Sequence, residues 1–227
     1  KVAHSYLTGY KGYLQTDGYT GYNRVGEMDG IVHVGCLAHV KRKFHEATKV
    51  SGGSPASQEF LSLIRKVYRA EHTLSEKELS EEAFVEGREK EVRPLIKKLE
   101  ERVEKKARHV APSTALGKAI TYTQEVLPRI ERYLENPHLT PDTNAVERAI
   151  RPFVIGRRNW LFSDTPRGAH ASATFYSLIE SAKSASLEPY WYIRYVLQKL
   201  PDIEETQRWK EILPIHLKPE EIRALPP

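Results

Sequence analysis

A chain of 227 residues with 40% hydrophobic and 29% charged side chains is long enough for one sizeable domain with an insertion, or for two small domains, and its composition excludes a disordered chain. No apolar run approaches the roughly 20 residues that cross a bilayer, Lys1 to Gly9 lack the apolar core of a signal peptide, and the single cysteine, Cys36, excludes an internal disulfide; a cytoplasmic protein without a membrane partner is expected. With 35 Lys and Arg against 30 Asp and Glu, and a pI near 9.1, a polyanionic partner is permitted, and the placement of the cations must decide.

The chain opens on Lys1-Val2-Ala3-His4-Ser5-Tyr6-Leu7 without an initiator Met or a capping residue, and reads as a fragment. Residues 12–17, Gly-Tyr-Leu-Gln-Thr-Asp, read as a short buried strand ending at a carboxylate, with turn-prone Gly18 behind it. After a connection around Tyr19 to Val25, Ile31-Val32-His33-Val34-Gly35-Cys36 reads as a second strand, rich in β-branched residues. Strand, short helix, strand predicts a parallel α/β unit. From Ala38 to Val50 the pattern turns helical, with Val40, Phe44 and Ala47 on one stripe and Lys41, Arg42 and Lys43 around it.

Ser51-Gly52-Gly53-Ser54-Pro55 breaks the chain, and three amphipathic helices are expected beyond it. Their stripes are Phe60, Leu63, Ile64 and Val67; Val92, Leu95, Ile96, Leu99 and Val103; and Leu116, Ile120, Leu127, Ile130 and Leu134. The stretch Ser75 to Lys106, dense in Glu and Lys, reads as a solvated helical face. Thr140-Pro141-Asp142 is a helix start. In the helix that follows, Val146, Ala149, Ile150 and Phe153 form the core stripe, and Asn144, Glu147 and Arg151 lie on another face. Pro152 is expected to kink or end it. A helix rich in small residues is predicted from about Ala169 to Ser184 and another from Pro189; the proline-punctuated tail from Pro201 is expected to wrap over the surface.

Asp17 and Glu147 are two acids among 30, and most acids are solvated or capping groups. Their settings single them out: a charge at the end of an apolar strand is awkward unless something binds it, and Glu147 shares its face with Asn144 and Arg151. Lys41, Arg42 and Lys43 follow the second strand, and Arg148, Arg151, Arg157 and Arg158 flank Glu147, so both sets are candidates for phosphate contacts, against the plainer alternative of surface ion pairs. His39 lies three residues after Cys36, half of a zinc spacing that no second pair completes; it reads as a packed or hydrogen-bonded residue. Cys36 reads as strand-end core, and Trp160 as a core or interface aromatic rather than a base-stacking one.

Five blocks in order resemble the insertion sequence sixty-six family of transposases. They are Gly12 to Tyr19, Gly35 to Phe44, Asn144-Ala145-Val146-Glu147-Arg148-Ala149-Ile150-Arg151-Pro152-Phe153, Ile155 to Phe162, and Tyr176 to Lys183. The resemblance implies an α/β fold with a partial ribonuclease-H-like core (1–50 and 139–165), a helical insertion (51–138) and a helical C-terminal segment (166–227). It implies an Asp-Asp-Glu site for Mg²⁺ or Mn²⁺ in which Asp17 and Glu147 are the second and third acids and the first Asp lies ahead of Lys1; His39 and Asn144, by their own positions, are candidates to support that site. Double-stranded DNA and a homo-oligomer are the implied partners. Two alternatives stand beside the transposase: a catalytically incomplete module that occupies transposon ends, and a helical interaction domain whose acids are structural.

Overall fold

The computed structural model describes residues 2–50, 55–160 and 163–223; the side chain of Trp160, on which one expectation falls, lies outside the described residues. The chain divides into two compact units, Lys1–Ala145 and Val146–Pro227.

In the first unit a short helix, α1 (Val2–Tyr6), leads to β1 (Gly12–Gln15); a 3₁₀ turn (Thr20–Tyr22) and α2 (Asn23–Gly26) lead on to β2 (Ile31–Val34). The strands pair in parallel, Gly12 opposite Ile31 through Gln15 opposite Val34, as the strand–helix–strand pattern predicts. The Thr16 amide donates to the Val34 carbonyl (3.0 Å) just past the last pair. Asp17 therefore stands immediately beyond the C-terminal end of the ladder. Among the described residues this pair is the whole sheet, and the chain is mostly helical.

The core of this unit is made by four long helices, α3 (Leu37–Val50), α4 (Pro55–Ser75), α6 (Arg93–Ala107) and α7 (Ala115–Ile130), with the shorter α5 (Glu81–Gly87) between α4 and α6. Leu37, Val40, Phe44 and Ala47 recur at three- and four-residue spacing on α3 and are fully buried, the stripe that a 3.6-residue period requires. Helix α3 packs on α4 and α7, and α6 packs on the same two. Phe44 and Phe60 stack with ring centroids 4.4 Å apart. The end of β2 is pressed against the end of α7: the Gly35 amide donates to the Arg129 carbonyl (3.1 Å), and a Cβ at Gly35 would lie 2.8 Å from Ile130 Cγ1. Only glycine allows that approach.

The stretch expected as a solvated face departs from that expectation at Arg88. This residue opens a π-helical turn (Arg88–Val92) and is 2% exposed. Its Nε and Nη2 donate to Glu71 Oε2 at 3.2 and 3.0 Å. Nη1 donates to the carbonyls of Tyr133 and Asn136 at 3.1 and 2.8 Å, and Nη2 to that of Leu139 at 2.8 Å. All five guanidinium donors are thus used. The plane lies over the rings of Phe84 and Tyr133, 4.5 and 5.0 Å from their centroids. Burial and the Glu71 charge push the Tyr133 phenol far above its ordinary range. Composition could not reveal this, because a charge-rich window does not say which cation finds a carboxylate on another helix.

The second unit contains α8 (Asn144–Trp160) from Val146 on, α9 (Pro166–Ser184), α10 (Pro189–Thr206) and α11 (Pro219–Arg223). Thr165 caps α9 by accepting the Gly168 amide (3.1 Å), and Glu188 caps α10 by accepting the Trp191 amide (2.9 Å). Helix α9 ends with Ser186 in the left-handed region, φ 58°, and the Leu187 amide returned to the Ala182 carbonyl (2.8 Å). The core holds Ala182, Leu187, Tyr192, Val196, Ile203, Ile212 and Ile222.

Helix α8 does not end at Pro152 but runs through it to Trp160: a proline forfeits one backbone bond, and with Arg148 exposed the carbonyl it would have served is open to water. Two further expectations fail. The stripe of α8 is not core, since Val146 and Ile150 are 66% and 57% exposed; Phe153 meets Tyr176 of α9 edge to face, centroids 5.1 Å apart. The tail from Pro201 does not merely wrap the surface: α10 continues to Thr206, Ile203, Ile212 and Ile222 are buried, and the Tyr192 hydroxyl donates to the Ile212 carbonyl (3.0 Å).

Arg88→Met strands the Glu71 carboxylate and three carbonyls, and is expected to destabilise the first unit by about 3–5 kcal/mol in urea unfolding. Pairing it with Glu71→Leu should recover part of that loss, because the uncompensated buried charge is then gone.

Candidate functional site

The residues around Asp17 converge from both strands, three helices and the segment before α8. Asp17 is half-buried, and its Oδ1 accepts the Tyr19 amide at 3.1 Å, a short turn of the kind aspartate favours. Its carbonyl accepts the Thr16 hydroxyl (2.8 Å). That hydroxyl in turn lies 2.8 Å from His33 Nε2. Since the Thr16 proton is committed to Asp17, its oxygen accepts from His33, which sets the neutral tautomer with the proton on Nε2. Burial first, then Arg129 and Arg132, hold the His33 pKa below its ordinary value.

The segment leading into α8 is fastened at almost every residue. Gln15 Nε2 donates to the Thr140 carbonyl at 2.7 Å, and the Leu37 amide, at the start of α3, to the Pro141 carbonyl at 2.8 Å. Asp142 accepts the Tyr68 hydroxyl (2.8 Å), the Asn144 side-chain amide (2.8 Å) and the Asn144 backbone amide (3.0 Å), capping the first turn of α8. The Cys36 sulfur accepts the backbone amide and the hydroxyl of Thr143, both at 3.3 Å, and lies 3.2 Å from His39 Nδ1. Cys36 is therefore buried, as expected, yet it is a polar anchor as much as a core side chain. Asn144 supports the start of α8 and His39 supports Cys36.

Two tyrosines from the helical segment reach the same place. Tyr68 of α4 binds Asp142, and burial with the Asp142 charge drives its phenol pKa well above the ordinary range. Tyr122 of α7 lies against Gly18, its pKa raised by burial and then by Cys36 and Asp17. Lys41 Nζ sits 5.4 Å from the Tyr68 ring centroid and Lys43 Nζ 5.8 Å from that of Tyr122; Lys43 also approaches Glu46 at 4.0 Å. Lys41, Arg42 and Lys43 are all exposed, so the first turns of α3 set cations on aromatic faces beside Asp17 and Asp142. Neither tyrosine stands out as a site residue in the sequence. The one signal available was for Tyr68, a phenol at the edge of the apolar stripe of α4, whose hydroxyl needs a partner when buried.

Glu147 belongs to the second unit, exposed in the first turn of α8. Arg148, Arg151, Arg157 and Arg158 project from the same helix and are exposed. Asp17 and Asn144 belong to the first unit. Among the described residues no group of three or more His, Cys, Asp or Glu side chains is arranged so that it could hold a metal ion, and no helix is long and apolar enough to cross a membrane.

The family model described as Transposase IS66 family matches residues 1–171. The chain belongs to that family. A second model, the IS66 C-terminal element, matches residues 177–215, from the second half of α9 through α10 and into the turns behind it. Among curated relatives, the chain is 29% identical over 229 residues to "Uncharacterized protein y4jD" of Sinorhizobium fredii (strain NBRC 101917 / NGR234), with 98% of this chain and 44% of that protein aligned. It is 29% identical over 224 residues to "Uncharacterized protein y4qI" of the same strain, with 96% and 41% aligned. The chain thus spans less than half the length of these relatives. No solved structure matches it.

His33 gives the first unit of this IS66-family chain a pH dependence. The folded state keeps His33 neutral below the ordinary value of 6.5, whereas the unfolded chain binds the proton there, so stability falls as pH drops beneath about 6.5. Urea titrations at about pH 7.5 and about pH 5 should show that loss in the native sequence and a smaller one in His33→Gln.

Proposed function

We propose that this chain is part of the catalytic region of a DNA transposase of the Asp-Asp-Glu class, in which Asp17 and Glu147 are two of the metal-binding carboxylates and β1 and β2 belong to a partial ribonuclease-H-like core. The proposal rests above all on the setting of Asp17, a carboxylate just beyond the end of a parallel strand pair with the basic first turns of α3 beside it. The family match over residues 1–171 makes transposition the reaction class to test first.

Carboxylate oxygens are the donors that Mg²⁺ or Mn²⁺ favours, so Asp17 and Glu147 suit such an ion in kind. Two carboxylates are fewer ligands than such an ion usually takes from a protein, and weak metal binding by this chain alone is part of the proposal. A bound divalent ion would supply charge neutralisation at the phosphodiester oxygens. The chain's own residues do the rest: Asp17 and Glu147 hold, while Lys41, Arg42, Lys43, Arg148, Arg151, Arg157 and Arg158 take phosphates of double-stranded DNA and fix its register. Hydrolysis at the transposon end frees a 3′ hydroxyl, which then attacks a target phosphodiester in line. Joining two ends calls for a homo-oligomer.

In the complete protein, Asp17→Asn and Glu147→Gln should each lower strand cleavage by about a thousandfold or more, equivalent to several kcal/mol of lost charge stabilisation, with affinity for transposon ends within about twofold of the native protein. Cleavage at native rate in either variant overturns that assignment. A native complete protein that binds ends yet never cuts them in Mg²⁺ or Mn²⁺ is instead a regulatory module.

A further inference from the structure

The loop that carries Asp17 is held from outside the strand pair. Tyr122, half-buried on α7, lays its ring and hydroxyl on Gly18 so closely that a Cβ there would overlap both. Lys43 stands over the ring, and Arg42, Asp17 and Cys36 all lie close enough to act on the phenol electrostatically. On its other side the loop is tied by short-range bonds, Tyr19 amide to Asp17 Oδ1 at 3.1 Å and Thr16 hydroxyl to Asp17 carbonyl at 2.8 Å. Those bonds span one or two residues and fold the loop on itself; the contact with Tyr122 joins it to a helix more than 100 positions away in sequence. Glycine at position 18 removes the side chain that would prevent this contact, at the expense of a freer backbone next to the carboxylate.

We propose that Tyr122 is a positioning residue for Asp17: by seating on Gly18 it fixes the carboxylate that follows β1, so the helical segment between α3 and α8 completes the candidate site. The inference rests on reading Asp17 as a metal-binding carboxylate. A group that orients a ligand without touching the ion changes metal affinity by about tenfold or more when removed, and a loop glycine held by a neighbouring ring is the kind of support a preorganised site requires.

The test uses the complete protein with Mn²⁺ as probe, its dissociation constant read by electron paramagnetic resonance beside transposon-end cleavage. Tyr122→Phe removes only the hydroxyl and is expected to weaken Mn²⁺ binding about tenfold and lower kcat without raising KM for end DNA, with thermal unfolding unchanged. In an Asp17→Asn background the same substitution should change Mn²⁺ binding no further. Gly18→Ala, which crowds the contact from the opposite side while leaving Tyr122 intact, should weaken Mn²⁺ binding as well. Native Mn²⁺ affinity in Tyr122→Phe or in Gly18→Ala overturns the inference, as does an equal loss with and without Asp17. If Asp17→Asn itself leaves Mn²⁺ binding and cleavage intact, the underlying reading of Asp17 fails and takes the inference with it.

Discussion

A buried guanidinium with all five donors engaged is the constraint on which the first unit depends. Arg88 joins Glu71 of α4 to the carbonyls of Tyr133, Asn136 and Leu139, and those carbonyls belong to the end of the turn after α7 and the irregular segment that leads to α8. Irregular backbone near a core needs partners for its polar groups. Here one side chain supplies three, Gln15 and the Leu37 amide supply two more, and Cys36 and Asp142 take up the amides of Thr143 and Asn144. The segment is consequently placed by groups drawn from β1, α3, α4 and the π-helical turn, although it has no regular structure of its own.

That arrangement changes the meaning of the helical insertion. Between the two strands and α8 lie residues that sequence alone treats as an appendage, yet α4 contributes Tyr68 to Asp142 and α7 contributes Tyr122 to Gly18. The insertion also supplies the aromatic faces beneath Lys41 and Lys43. Electrostatics and packing meet at one place: Lys41 and Lys43 stand over rings supplied by the helical segment, and both are exposed.

The sequence was legible where periodicity and burial agree. The parallel strand pair, the Val40-Phe44-Ala47 face of α3 and the Phe60, Leu63, Ile64 and Val67 stripe of α4 all follow from patterns of two and 3.6 residues. Arg88 was illegible because its partners are spread across 17 to 51 residues of chain. Tyr122 was illegible because a ring beside a glycine has no signature in spacing. On α8 the pattern was read correctly as amphipathic, but amphipathicity says only that a face is apolar, and Val146 and Ile150 remain exposed. Asp17 and Glu147 stand out by their settings, a strand end and a helix face shared with Asn144 and Arg151, but such acids are common in themselves, and their place in an Asp-Asp-Glu site comes from the family blocks.

The Cys36 sulfur, fastened to Thr143 and lying against His39, is also the chain's single thiol, and it is 2% exposed. A thiol reagent can reach it only when the end of β2 separates from the segment before α8, so the rate of its modification clocks the opening of that seam. The molecule thereby carries its own reporter, one that distinguishes breathing at the candidate site from unfolding of the unit as a whole without a label being introduced anywhere.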